Sequence, residues 1–374
     1  MKKKSIGIIG GGLSGLVAAI HLSKNNLPVT LFEKDTYPNH KVCGEYVSQE
    51  IVPYLKQLNI HLSDLKPATI DRLQFSDASG KTVNSKLPLG GLGISRYALD
   101  EFLYKKALAS GVKFIHALVT DVNYNDDEFI STTNHKEAFK FQVVLGAYGK
   151  RSLLDKKLDR QFIDQKSGWL AIKGHYKKNG FPDDLVMLHN FKGGYCGLSK
   201  TETGAINVCY LASYNSFKKH KDPVTFKNEV LMQNPHLRDF FQEAIPLFEK
   251  DLSIAQIFFG KKSTIQDHIL MLGDAAGLIH PLSGNGMAMA IHSAKIASEA
   301  VLKYYEDETY SREALENEYQ KNWKEQFSSR LLMGNILQRI LLNPNLSNIV
   351  QRIISSFPSL LPKIISRTHG KPIL

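Results

Sequence analysis

The apolar positions fall first into an unbroken run at residues 6–9, then a stripe at helical spacing over 13–25, then a second short run over 28–33. A strand buried on both faces reads as a continuous apolar run, whereas a helix covered on one side repeats its apolar residues every three to four positions. The spacing therefore predicts a strand over 4–9, a helix over 13–25 and a strand over 28–33, which together form one βαβ unit. Leu99, Phe102, Leu103 and Ala107 share a helical face within 99–110, and an apolar run at 113–115 follows as a strand. Residues 143–147 form another short buried strand. From 168 to 214 the pattern changes to strand-like alternation punctuated by Gly193-Gly194 and Thr203-Gly204. Residues 269–272 return to a buried run, and 287–305 is a long helix.

Strands that alternate with helices indicate a parallel sheet, and the 168–214 pattern indicates an antiparallel sheet inserted between its parts. The expected fold class is α/β, with a Rossmann-type dinucleotide-binding domain assembled discontinuously from 1–70, 93–157 and 262–306. The inserted substrate sheet takes 71–92 and 158–261, and 307–374 forms a helical C-terminal region.

Two glycine-rich turns sit where a strand hands over to a helix. The first is Gly10-Gly11-Gly12-Leu13-Ser14-Gly15. In this G-x-G-x-x-G spacing Gly10 permits the tight turn, Gly12 lets a pyrophosphate approach the backbone, and Gly15 lets helix and strand pack closely. Glu33, followed by Lys34, lies where an acid takes ribose hydroxyls, and an acid there disfavours a 2′-phosphate. The second turn is Gly273-Asp274-Ala275-Ala276-Gly277, followed by Pro281 and by Gly284-Asn285-Gly286-Met287. A simple NAD dehydrogenase has no use for this late Gly-Asp turn. Two turns hold a long dinucleotide at both ends, so the expected cofactor is non-covalent FAD. Asp274 would serve its ribityl–phosphate half, and the helix starting near Gly286 would point its positive end at the N1/O2 edge of the flavin.

A formal charge of +11 and a pI near 9.3 favour anionic partners. No nucleic-acid-binding motif is present, so nucleic acid is not an expected partner. Cys43, Cys196 and Cys209 make no paired framework, which fits a reducing, cytoplasmic setting. Lys2-Lys3-Lys4 ahead of the first apolar run imitates a signal peptide, but the glycine spacing assigns that run to the fold. No run of about 18 uncharged apolar residues predicts a spanning helix. The histidines lack any metal-ligand spacing, and no metal is expected.

Three blocks together resemble the superfamily of FAD-dependent hydroxylases, halogenases and geranylgeranyl reductases: the first turn with Glu33, Ser95-Arg96-Tyr97-Ala98-Leu99-Asp100, and Gly273 through Ala290. The resemblance implies that Arg96 helps bind FAD and that Val119 lies near its adenine. Lys41-Val42-Cys43-Gly44-Glu45 is similar to the Cys-Gly segment that the geranylgeranyl-reductase branch places beside the flavin. Hydroxylases usually carry His where this chain has Gly277, and the motif expected as Ala-Asp-Gly reads Ala147-Tyr148-Gly149. The middle motif departs from both branches, while Cys43-Gly44 and Gly277 point to an FAD-dependent oxidoreductase that delivers hydride to a C=C bond of a hydrophobic small molecule, with NADPH or NADH as electron donor. Cys43 is the candidate catalytic thiol, with a small packing residue as the alternative. Trp169 and Tyr195 are candidates for the substrate wall or for sheet core. The alternative reaction is hydroxylation of an aromatic or polyketide-like substrate, and a flavin electron carrier docked on a membrane is the reading of another class.

From Gln326 to Leu374 the chain carries six Lys/Arg residues and no acid. Leu346, Ile349, Val350, Ile353, Ile354 and Phe357 recur at helical spacing between Pro344 and Pro358, which predicts a separate short helix. Such a basic amphipathic segment either packs on the body or lies peripherally on the anionic inner face of a membrane.

Overall fold

The computed structural model describes residues 4–165, 167–220, 222–280, 284–342, 346, 350 and 360–374. Lys2, Lys3, Pro281, Pro344, Pro358 and the predicted 346–357 stripe, apart from Leu346 and Val350, lie outside them.

The first strand, Ile6–Ile9, is buried along its length and sits inside a six-stranded sheet. It pairs in parallel with Val29–Phe32 on one side and Val143–Gly146 on the other, and the latter pairs in parallel with Ile269–Met271. Lys113–Ile115 closes one edge in parallel, and Ile265–Gln266 closes the other antiparallel. The register aligns Ile9 with Phe32 and Gly146, and Gly146 with Met271. The carboxyl ends of four strands therefore stop at one level, and ligands of open α/β sheets bind beyond that edge. The Leu13–Lys24 and Gly286–Glu306 helices pack on each other against this sheet, and Ile8, Leu16, Ile20 and Ala297 are wholly buried in the shared core. Each fully buried aliphatic side chain contributes about 1.5–3 kcal/mol relative to exposure.

A nine-stranded sheet carries the second layer. Trp169–Lys177, Ile206–Ser213, Gly194–Lys200 and Leu185–Phe191 run antiparallel in that spatial order. The hairpin Ala68–Ser76/Thr82–Gly93 joins through a parallel pairing of Leu185–Phe191 with Ala68–Ser76. One face of this sheet buries Leu170, Ile172 and Tyr210 against Phe226, Leu237 and Phe240, which come from two helices, Pro223–Glu229 and Pro235–Glu243. Those helices were not expected within the sheet region. A further three-stranded antiparallel sheet, Val119–Asn125, Glu128–Thr133 and Ala138–Phe141, was also unforeseen, and Val119 starts it as a buried residue.

The C-terminal region is part of the body. Leu315, Tyr319, Trp323 and Phe327 recur every four residues on the Arg312–Leu342 helix, and all four are buried. Tyr319 donates its hydroxyl to the carbonyl of Met271, and Trp323 lies so close over Gly277 that a Cβ there would come within 2.8 Å of its ring. This long helix therefore roofs the second glycine-rich turn. Leu360–Thr368 lies against Thr82–Gly93. Among the described residues no helix is long and apolar enough to cross a membrane.

Candidate functional site

Gly10 leaves the first strand at φ +104°, where a side chain would strike the carbonyl of Ala147. A Cβ on Gly15 would lie 1.9 Å from the Gly10 carbonyl oxygen, so strand and helix meet here as closely as backbone allows. Gly12 differs. Its φ of −78° suits any residue, and a Cβ would meet nothing within 4 Å. The helix that follows has no side-chain N-cap and no acid in its first turn, so its leading N–H groups face open space. Free donors over an open cradle are what a pyrophosphate requires, and the residues fit the cofactor. Leu13 and Ser14 are buried in that first turn, and Ser14 Oγ would lie 2.8 Å from a Cβ on Gly273, so the two glycine-rich turns touch.

Glu33 lies at the end of the second strand, where one carboxylate oxygen accepts from Gly11 N at 2.7 Å and the other from Asp35 N at 3.0 Å. Lys34 points into solvent and pairs with Asp35 at 3.3 Å. At the second turn the backbone is held by three unforeseen side chains. Ser293 Oγ accepts from Gly273 N (2.9 Å), Arg160 donates to the Ala275 carbonyl (2.9 Å), and Lys262 donates to the Asp274 carbonyl (2.8 Å). Burial brings the Lys262 ammonium down to about 8, with Asp274 opposing. The Asp274 carboxylate itself makes no hydrogen bond among the described residues. Asp274→Ala should therefore leave the melting temperature of the apoprotein within a degree or two while weakening FAD binding about tenfold or more. Equal loss of stability in apo- and holoprotein would make Asp274 a turn residue only. Gly284, at φ +61°, precedes the Gly286–Glu306 helix, whose cap is Asn285 and whose first turn buries Met287.

Arg96 and Cys43 bridge the two halves of the site. Arg96 makes a bidentate pair with Asp100, at 2.7 and 2.8 Å, from the first turn of its helix. Burial alone would lower the Arg96 pKa, but Asp100 outweighs it and keeps the guanidinium charged, and Cys43 and Asp274 are near enough to add to that effect. Lys41 also reaches Asp100, at 2.9 Å. The half-buried Cys43 gives its carbonyl to Asn207 Nδ2 at 3.3 Å. Cys209, by contrast, is pushed up to about 12 by burial, which keeps it an inert thiol.

The largest feature that sequence reasoning missed is centred on Glu45. This wholly buried residue sits at φ +54° and accepts from Arg96 N at 2.7 Å. Its carboxylate also pairs with Lys173 Nζ at 2.5 Å and meets His175 Nε2 at 2.7 Å. Burial would raise the Glu45 carboxyl, but the His175 hydrogen bond and the Lys173 ammonium together hold it below the ordinary value. Lys173 further donates to the Lys41 carbonyl at 3.2 Å, so the cluster pins both ends of the 41–45 loop to the inserted sheet. Ligand atoms of His40, Glu45 and His175 lie within 4.8 Å of one another, a grouping that could hold a metal and that local spacing could not reveal. Lys173 Nζ and His175 Nε2 already occupy both Glu45 oxygens, whereas the buried Nδ1 of His40 has no hydrogen-bond partner among the described residues.

Trp169 and Tyr195 come together on the sheet face turned toward the parallel domain. Their ring centroids lie 6.3 and 5.9 Å from that of His280. The same apolar cluster holds Phe259, Val42 beside Cys43, and Leu278 beside Gly277. In the middle motif, Tyr148 donates to Met271 Sδ at 3.3 Å and receives a hydrogen bond from Arg160 at 3.4 Å, so it ties two strand ends together where the pattern expects an acid.

Residues 8–39 match the model of an NAD(P)-binding Rossmann-like domain, and residues 200–342 match that of squalene epoxidase. Among curated proteins the chain is 22% identical over 359 residues to conditioned medium factor receptor 1 of Dictyostelium discoideum, covering 88% of this chain and 69% of that one. It is 22% identical over 369 residues to a digeranylgeranylglycerophospholipid reductase of Methanococcus vannielii, covering 96% and 91%. Among solved structures, a flavin-dependent brominase superposes with a TM-score of 0.80 at 17% identity, over 97% of this chain and 92% of the other.

Proposed function

We propose that this chain, which belongs to the FAD-dependent oxidoreductase superfamily, reduces a carbon–carbon double bond in a hydrophobic, isoprenoid-like small molecule. When bound, FAD supplies the hydride chemistry. Gly10, Gly12, Gly15 and Glu33 hold its ADP half, Asp274 serves the ribityl–phosphate half, and Arg96 stands between them. One observation carries the substrate reading: Trp169, Tyr195, Val42 and Leu278 form a single apolar cluster bounded by Cys43 and by the second glycine turn. Trp169 and Val42, the partly buried members of that cluster, are where an apolar substrate would enter, and its buried members keep water from the reacting centre. The likeness to the archaeal reductase along 96% of this chain supports reduction over oxygenation.

The donor is NADPH or NADH. The purified protein should be yellow, and anaerobic titration with each nucleotide should bleach the flavin with one of them. With a polyunsaturated isoprenoid lipid, NAD(P)H should then be consumed without matching oxygen uptake. The brominase-like fold favours the second reading, an oxygen-using reaction. Substrate-dependent oxygen uptake equal to NAD(P)H consumed would establish that reading and overturn the first.

A further inference from the structure

A cavity of about 1180 Å³ opens on the side of the molecule formed by the Arg312–Leu342 helix, the Thr82–Gly93 strand and the C-terminal stretch. It exceeds the roughly 300–1,000 Å³ usual for small-molecule pockets. Its walls are of two kinds. Leu87, Met333 and Ile365 line it with aliphatic surface, and Leu332 and Ile336 present theirs to solvent at 62% and 41% exposure. Lys295, Arg330, Arg367 and Lys371 supply cations, and no Asp or Glu is among the lining residues.

These cations are not equivalent. Arg330 is spent internally, at 3.0 Å from the wholly buried Glu50. Glu50 also accepts from Gly370 N through its side chain and from Ile373 N through its carbonyl. That arrangement ties the 370–373 stretch to the body and fixes the place of Lys371. Lys295 is paired with Glu299. Arg367 and Lys371 are exposed and have no acidic partner among the described residues. Two uncompensated cations on a fixed rim, beside an exposed aliphatic wall, complement a ligand with an anionic head and a hydrocarbon chain.

We propose that this groove docks the protein on anionic phospholipid of a bilayer, with a phosphate head at Arg367 and Lys371 and acyl chain along Leu332 and Ile336. The proposal holds whichever reaction the flavin site performs. Holoprotein should sediment with phosphatidylglycerol vesicles at low salt and remain free with phosphatidylcholine vesicles. Dodecyl phosphate should release it, whereas inorganic phosphate at the same concentration should not. The double variant Arg367→Glu/Lys371→Glu alters only exposed side chains, so it should keep FAD affinity and melting temperature while losing at least tenfold in vesicle affinity. Ile336→Asp should lose the response to dodecyl phosphate. Absence of binding by the wild type, equal binding by the double variant, or release by inorganic phosphate alone would each overturn the proposal.

Discussion

Gly12→Val should abolish FAD binding, with affinity lower by at least a hundredfold, and leave the apoprotein folded. The two halves of this expectation have separate structural causes. The Gly12 backbone is already in a conformation that valine accepts, and the space its side chain enters holds no protein atom within 4 Å. That same space lies over the uncapped helix start, where a pyrophosphate must reach the N–H groups. Gly15→Val makes the contrast. A Cβ there collides with the Gly10 carbonyl at 1.9 Å, so this variant should lose both folding and binding. Thermal melts of the two apoproteins, read beside FAD titration by flavin fluorescence, separate the cases. A Gly12→Val protein that binds FAD like the wild type would show that the cofactor does not use this turn.

Lys173→Met should destabilise the folded protein by about 3–5 kcal/mol, the usual consequence of removing one partner from a buried ion pair. Glu45 would then be left in a site with no exposure, supported only by His175 and the Arg96 N–H, with burial raising its carboxyl. Lys173→Met/Glu45→Gln removes both charges and should recover most of that loss, so denaturant melts of the wild type, the two single variants Lys173→Met and Glu45→Gln, and the double variant should give a large coupling energy. Additive losses would mean the two side chains do not depend on each other. The pH response follows from the depressed Glu45 carboxyl. Its contribution is complete above the ordinary carboxylate value and is lost as pH falls through the lower folded value. The wild type should therefore lose stability as pH falls below the ordinary carboxylate value, and Glu45→Gln should lack that part of the loss.

The parts legible in the sequence were those whose physics is local. Ile6–Ile9 reads as a strand because both its faces are covered, and the glycines after it read as a phosphate turn because their spacing reflects steric needs a few residues apart. The paired helices at 223–243 were not predicted, although they carry a local signal. Asp222-Pro223 and Asn234-Pro235 place a capping side chain ahead of proline in the first helical turn, and both caps accept backbone N–H groups in the structure. The sheet at 119–141 offers weaker cues, since its turns use Asp126, Asp127 and Lys136 at positive φ where glycine or asparagine would have marked them. The Glu45 cluster could not be read from spacing, because Lys173 stands 128 residues away from Glu45. Its one trace is Lys173 and His175 at alternate positions in an apolar strand, which marks a buried polar face without naming its partner.

The order in which the parallel sheet is threaded has a consequence for how the protein is made. Its first strand gains one neighbour after a single intervening helix, at Val29–Phe32, but the other at Val143–Gly146 and the next strand out only at Ile269–Met271. At the usual pace of roughly 5–20 residues per second, about 13–52 s separate the first strand from the last of these on the ribosome. Throughout that interval the nascent chain carries an apolar strand edge that needs protection from aggregation. The second glycine-rich turn emerges only after the last of these strands, so on the proposed reading FAD meets both turns only once residue 277 has been made. Loading the cofactor would then wait for that turn, and a fragment ending before Ile269 should bind FAD weakly or not at all.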